Sequence, residues 1–204
     1  MQLHTNKHQV SPQQHWSSLK EGNAAALEEL YKLYSNVLYN YGSKFTADKD
    51  LIKECIQELF VNIWTRRQFI SNPPDVKNYL FKSFRLSVFK KITSLQKYQE
   101  YEETGDYPFS MTLNMEEAII SEEKDEDQKK RIAAALSTLT DRQREAVFLK
   151  FYAGLSYDEI AEVMDISVNS TYKIMSRSLT FLRDNLSKDD LILLISLFCL
   201  KLYN

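Results

Sequence analysis

Residues 139–186 read LTDRQREAVFLKFYAGLSYDEIAEVMDISVNSTYKIMSRSLTFLRDNL. Three helix start signals follow one another in this stretch. Thr140 with Gln143, and Ser156 with Glu159, each have the form of a capping box, in which two side chains satisfy free backbone N–H groups reciprocally. Ser167 opens a third run after Met164, Asp165 and Ile166. Gly154 stands where the first helix should stop, because glycine takes the left-handed conformation without a Cβ clash. Asp165 stands in the tight turn before the third run, where Asp tolerates that conformation better than most residues. A short helix, a turn of about three to four residues and a second helix make a helix-turn-helix. Tyr157–Met164 is the expected supporting helix and Val168–Asp184 the helix offered to a groove. On the latter, Thr171, Met175, Ser178 and Leu182 fall on the inward face. Asn169, Ser170, Tyr172 and Lys173 occupy the first turns, and Lys173 and Arg177 share a face four residues apart. Residues at the start of such a helix reach base edges, and basic residues further along reach phosphates. Asn169 suits an adenine, and Ser170 suits several bases.

Working outward, the chain of 204 residues is long enough for one to two domains, and its hydrophobic content of 44% is ordinary for a globular protein. Four Gly, four Pro and the lack of alternating apolar runs predict an all-α fold. The net charge of −2 hides a strong segregation. Residues 66–97 hold eight Lys or Arg and one acid, residues 98–129 hold eleven acids and two Lys, and residues 167–183 hold three basic residues and no acid. Local field, not net charge, decides where a polyanion sits. Cys55 and Cys199 have no disulfide or metal spacing, and the N-terminus has no apolar signal segment, so a reducing cytoplasm is expected. His4, His8 and His15 are too loosely spaced for a metal site. With no other His to act as base, no Gly-rich phosphate loop and no nucleophile motif, no enzyme, cofactor or small-molecule substrate is expected.

In chain order, residues 1–15 predict a frayed polar tail. Residues 16–97 predict a first helical domain. Its opening helix pair, broken near Gly22, uses Leu19, Ala26, Leu27, Leu30, Leu33, Tyr34, Leu38 and Tyr41 as one apolar face. A helix starting near Ala47 or Asp50 buries Leu51, Ile52, Ile56, Leu59, Phe60, Ile63 and Trp64. Its opposite face presents Glu54, Gln57, Glu58 and Val61, which on composition alone reads as solvated. Pro73 and Pro74 break that helix. Asp75 caps the next run, Val76 to about Lys97, where Lys77, Asn78, Lys82, Arg85, Lys90 and Lys91 are interleaved with Tyr79, Phe81 and Phe84. Cations beside rings suit unpaired nucleic acid, and a solvated helix with core aromatics is the equal alternative.

Residues 98–129 predict an acidic linker, with Met111, Leu113, Met115, Ile119 and Ile120 as apolar spots able to dock. Residues 130–186 predict the helix-turn-helix domain, with Phe151, Ile166 and Leu179 among its core residues. The apolar run 191–200 in the tail 187–204 is too short to span a bilayer. It reads either as packing on the second domain or as a partner surface.

Two segments carry a family resemblance. DLIKECIQELFVNIW, residues 50–64, resembles the clamp-docking region of sigma-70-type RNA polymerase sigma factors of the extracytoplasmic-function group, in the short Tyr-rich versions of Bacteroidetes-type bacteria. LSTLTDRQREAVFLKFYAGLSYDEIAEVMDISVNSTYKIMSRSL, residues 136–179, resembles that family's fourth region, the −35 reader. The resemblance covers roughly residues 17–186. It implies that Glu54, Gln57, Glu58 and Val61 face the polymerase clamp helices, which reverses the solvated reading of that face. It implies that Lys77, Asn78, Lys82, Arg85, Lys90 and Lys91, with the Pro loop before them, capture the −10 element. It assigns Asn169, Ser170, Tyr172, Lys173 and Arg177 to the −35 element. The implied partners are core RNA polymerase, promoter DNA and an anti-sigma factor, and the acidic linker would thread toward the polymerase active site. Departures are Leu86, where many relatives have Asn, Asp165, where many have Gly, and Tyr172 and Ile174, where many have Lys and Arg. The residues alone leave two other readings open: a stand-alone helix-turn-helix regulator binding duplex DNA as a dimer, and a helical protein-interaction module. The basic helices and acidic linker predict a closed free state.

Overall fold

The computed structural model describes residues 10–96, 107–111 and 124–200. These form nine helices and no strand: α1 (Pro12–Lys20), α2 (Ala24–Gly42), α3 (Lys49–Thr65), α4 (Val76–Gln96), α5 (Lys124–Thr138), α6 (Asp141–Phe151), α7 (Tyr157–Met164), α8 (Val168–Asn185) and α9 (Lys188–Leu200). The all-α expectation holds. Helices α1–α4 make the first bundle and α5–α9 the second, and α4 lies against α7 across the boundary.

The chain orders earlier than its polar composition predicts. Ser11 caps α1 through a capping box with Gln14, and Pro12 occupies the first turn, where its missing N–H costs nothing. The S-P-x-Q pattern at 11–14 is the overlooked signal, and Trp16 and Leu19 anchor the helix in the core. Asp48, between the two expected positions, caps α3 by accepting from the N–H groups of Asp50 and Leu51. Leu33 and Leu179, expected inside, are exposed.

Gly42 closes α2 where three helices converge. A Cβ there would meet Cγ2 of Ile52 at 2.8 Å and Cζ of Phe84 at 2.9 Å. Both neighbours are themselves buried, so neither side chain has room to withdraw.

In the linker, α5 begins at Lys124 and residues 107–111 are packed, in line with a linker whose parts can turn helical or dock. Tyr107 and Phe109 are buried and Met111 packs against the core. Residues 98–106 and 112–123, including Leu113, Met115, Ile119 and Ile120, lie outside the described residues. The apolar tail forms α9. Leu194 is buried, Arg131 pairs with Asp190 at 3.0 Å, and Ser187 and Asp190 bond each other's N–H groups, while Ile192 and Ile195 face outward. Packing on the second bundle is thus the reading the tail obeys. Among the described residues no helix is long and apolar enough to cross a membrane.

Gly42→Ala weighs a helix-propensity gain of about 1 kcal/mol against overpacking of about 1–3 kcal/mol. Because the two contacts are short and buried, overpacking wins. Net destabilisation, read as a lower urea midpoint with unchanged slope, is the expected outcome.

Candidate nucleic-acid interface

The helix-turn-helix is built by its caps. Thr140 and Ser156 form the two capping boxes read from the sequence, and Ser167 accepts from the N–H of Ser170 at 3.1 Å. Gly154 has φ +66° and Asp165 has φ 53°, so both predicted left-handed positions are occupied. The buried residues of α8 are Thr171, Met175, Ser178 and Leu182, the inward face expected from spacing.

The outward face divides by commitment. Asn169, Lys173 and Arg177 are exposed. Ser170 is half-buried, and its hydroxyl lies 2.8 Å from that of Ser167, so it belongs to the cap as much as to a groove. Tyr172 is 54% exposed, with its ring edge-on to Tyr157 at 4.7 Å. Lys150 in turn sits over the Tyr157 ring at 5.1 Å and donates to the Leu155 carbonyl. This Lys150–Tyr157–Tyr172 column ties α6, α7 and α8 together at the outer edge of the motif. Sequence spacing did not reveal it, because the three residues come from three helices.

The six basic-helix residues do not share a face. Lys82 and Lys90 point outward on either side of Leu86, which is 57% exposed. Lys91 donates to Glu54 and Glu58, each at 2.9 Å. Desolvation opposes the Lys91 charge, but these two carboxylates outweigh it and raise its pKa. Two of the expected polymerase-facing acids are therefore joined to an expected DNA-facing lysine, while Gln57 and Val61, the latter 58% exposed, remain open. Lys77, Asn78 and Arg85 turn the other way, toward the second bundle. Burial lowers the Lys77 pKa, Asn78 donates to Glu162 at 2.8 Å, and Arg85 is buried. Asn78 and Arg85 are thus covered in this arrangement, contrary to a uniformly solvent-facing basic helix. Phe81 and Phe84 are fully buried core residues, so they offer no stacking face. Among the described residues the most exposed ring is Phe69, 88% exposed in the loop after α3, with Arg67 stacked on Trp64 at 4.3 Å nearby in sequence. Its signal was the R-R-Q-F run at 66–69 before the two prolines.

Arg85 meets Glu145, whose side chain is 0% exposed. The Glu145 carboxylate accepts from Arg85 Nε at 2.8 Å and Nη2 at 3.3 Å, and from the hydroxyls of Tyr41 and Tyr107. Burial, then the Glu145 charge, pushes both tyrosine hydroxyls well above their usual range, so they stay protonated donors. Burial works against the Arg85 charge, but Glu145 outweighs it and raises the guanidinium pKa further.

A family model described as sigma-70, region 4, matches residues 129–182. The extracytoplasmic-function RNA polymerase sigma factor SigM of Bacillus subtilis (strain 168) is 26% identical over 152 residues, which span 74% of this chain and 90% of that protein. The second helical bundle of this chain is thus similar to region 4 of the sigma-70 family, and most of the chain's length is similar to SigM. The matched segment runs from Lys129 in α5 to Leu182 in α8 and contains both capping boxes and the Asp165 turn. Among solved structures, CnrH, determined in complex with the cytosolic domain of CnrY, superposes with a TM-score of 0.56 at 17% identity, covering 84% of this chain and 94% of that one. The sigma factor RpoE of Bartonella quintana, determined in complex with the anti-sigma factor NepR, gives 0.53 at 19% identity, covering 77% and 94%. These two likenesses establish a shared fold across most of both helical bundles.

The Asp165 turn sets the angle between α7 and α8 in the matched segment. A β-branched residue at φ 53° is strained. Asp165→Val is expected to lose about 1–2 kcal/mol, and Asp165→Gly to match or exceed the wild type. Chemical unfolding of the two variants side by side checks this.

Proposed function

We propose that this chain is a promoter-specificity subunit that directs core RNA polymerase to its start sites, docking on the clamp helices and reading a −10 and a −35 element. The observation that carries the reading is the capped helix-turn-helix of the region 4 match, with Asn169, Tyr172, Lys173 and Arg177 unburied on the outer face of α8. Lys173 and Arg177 supply phosphate contacts, Asn169 and Tyr172 meet base edges, and Ser170 contributes from the cap. In the first bundle, Gln57 and Val61 form the open part of the docking face, with Glu54 and Glu58 freed when Lys91 is drawn to DNA. Lys82 and Lys90 track the backbone of the melted strand and Phe69 stacks an unpaired base. Lys77, Asn78 and Arg85 join them once the two bundles part. Such a subunit performs no chemistry of its own, since the bond-forming site belongs to the polymerase, and it works in the cytoplasm. An anti-sigma factor is the matching regulatory partner, as the complexes of CnrH and of the Bartonella RpoE illustrate for those proteins. A stand-alone duplex-DNA regulator has no use for the α3 face or an exposed Phe69, so the sigma reading is preferred.

The decisive test is in vitro transcription from a genomic library with purified core polymerase, with and without the chain. New promoter-dependent transcripts and co-purification with core are the expected result, and absence of both sinks the reading. In the same assay Lys173→Ala should weaken promoter binding by about 1 kcal/mol, roughly fivefold, the scale of one charge-assisted contact. An unchanged affinity would remove Lys173 from the interface.

A further inference from the structure

The linker residues Tyr107–Met111 touch both bundles at once. Phe109 N–H donates to Asp141 at 2.8 Å, and its carbonyl accepts from Arg144 Nε at 2.8 Å, both residues of α6. On the other side, Ser110 N–H donates to the Lys44 carbonyl just beyond α2, at 2.7 Å. The Phe109 ring fills the gap between them, with Phe45 at 5.0 Å, Phe148 at 5.9 Å and Tyr41 at 6.2 Å. Tyr107 adds its hydroxyl to Glu145 and its ring to the Arg85 guanidinium at 5.1 Å. Four donors thus converge on one carboxylate from α2, α4 and the linker. A short strap of linker has become part of the core that the two bundles share.

We infer that residues 107–111 are the latch of an autoinhibited closed state, and that withdrawing this strap from between the bundles is what frees the chain to engage a promoter. The inference rests on the sigma reading for its consequence, though not for its geometry. A compact chain of 204 residues has a radius of gyration of about 17 Å and is roughly 43 Å across. Elements centred near −10 and −35 lie about 25 base pairs apart, roughly 85 Å along duplex DNA. One packed body cannot hold both, so the bundles must part. Parting also uncovers Asn78 and Arg85, which the closed form spends on Glu162 and Glu145. The strap decides whether parting is easy. With Tyr107 and Phe109 in place, Glu145 keeps its full set of donors and the aromatic gap is filled. With the strap gone, a buried charge loses a donor and the core keeps a hole, and both are relieved by letting water in between the bundles.

The test uses the full chain free in solution. Small-angle scattering of the wild type should give a radius of gyration of about 17 Å, and Phe109→Ala and Tyr107→Phe should both raise it, with helical circular dichroism retained. Tyr107→Phe keeps the ring and removes only the bond to Glu145, so it guards against a variant that simply fails to fold. The opened variants should also bind core polymerase at least about threefold faster, because the competent fraction is larger. A wild type already extended, or variants that stay compact, would overturn the latch. Variants that open without any gain in association rate would overturn its inhibitory role. Because the scattering arm involves neither polymerase nor DNA, it reports on the latch even if the sigma reading fails in transcription.

Discussion

One buried carboxylate holds the two halves of this protein in register. Glu145 has no exposed surface, and moving an isolated carboxylate out of water costs several kcal/mol. It is tolerated because four hydrogen-bond donors meet it: two from Arg85 and one each from Tyr41 and Tyr107. That set fills the capacity of a carboxylate. The donors come from three segments, so the cost of burying Glu145 of α6 is offset only when α2, α4 and the linker are all in place. The stacking of Tyr41 on Phe148, with Phe109 beside both rings, surrounds the group with a low-dielectric shell that strengthens the same bonds.

This arrangement explains why α6 is buried on nearly every side. An outer helix of a three-helix unit would show a polar stripe, but Glu145, Ala146, Val147, Phe148 and Leu149 are all covered. Two neighbours are responsible. The other helices of the second bundle pack on one side of α6, and the first bundle with the strap packs on the other. A short linker strap and a charged pair form the second contact, which makes it separable in a way the first is not. Removing one partner of a buried pair is typically worth about 3–5 kcal/mol, a large share of the energy holding two small bundles together. The interface is specific for that reason, and sensitive to the loss of any one element.

The same logic distributes the basic residues of α4. Helical spacing puts Lys82, Leu86 and Lys90 on one line and Asn78, Phe81 and Arg85 on another. The first line is free in the closed form and the second is not. Lys91 joins α4 to α3 through Glu54 and Glu58, so the outer face of α3 and the basic helix are electrostatically linked. A change at one is felt at the other.

Local signals determined much of this protein. The capping residues Thr140, Ser156 and Ser167, the left-handed Gly154 and Asp165, and the inward face of α8 are all consequences of hydrogen bonds and backbone sterics within a few residues, so the sequence alone sufficed to place them. The start of α1 was equally local and was concealed only by polar composition around Ser11 and Pro12. The tertiary structure alone decided which charges are spent. Nothing in the neighbours of Arg85, Asn78 or Lys91 distinguishes them from Lys82 and Lys90. Their partners Glu145, Glu162, Glu54 and Glu58 lie 60, 84 or 33 or more residues away along the chain, or on a separate helix. Tyr107 and Phe109, core residues in the fold, did not stand out among the apolar spots of the acidic linker for the same reason. Pairing across such separations follows from how helices pack, and periodicity along one helix carries no record of it.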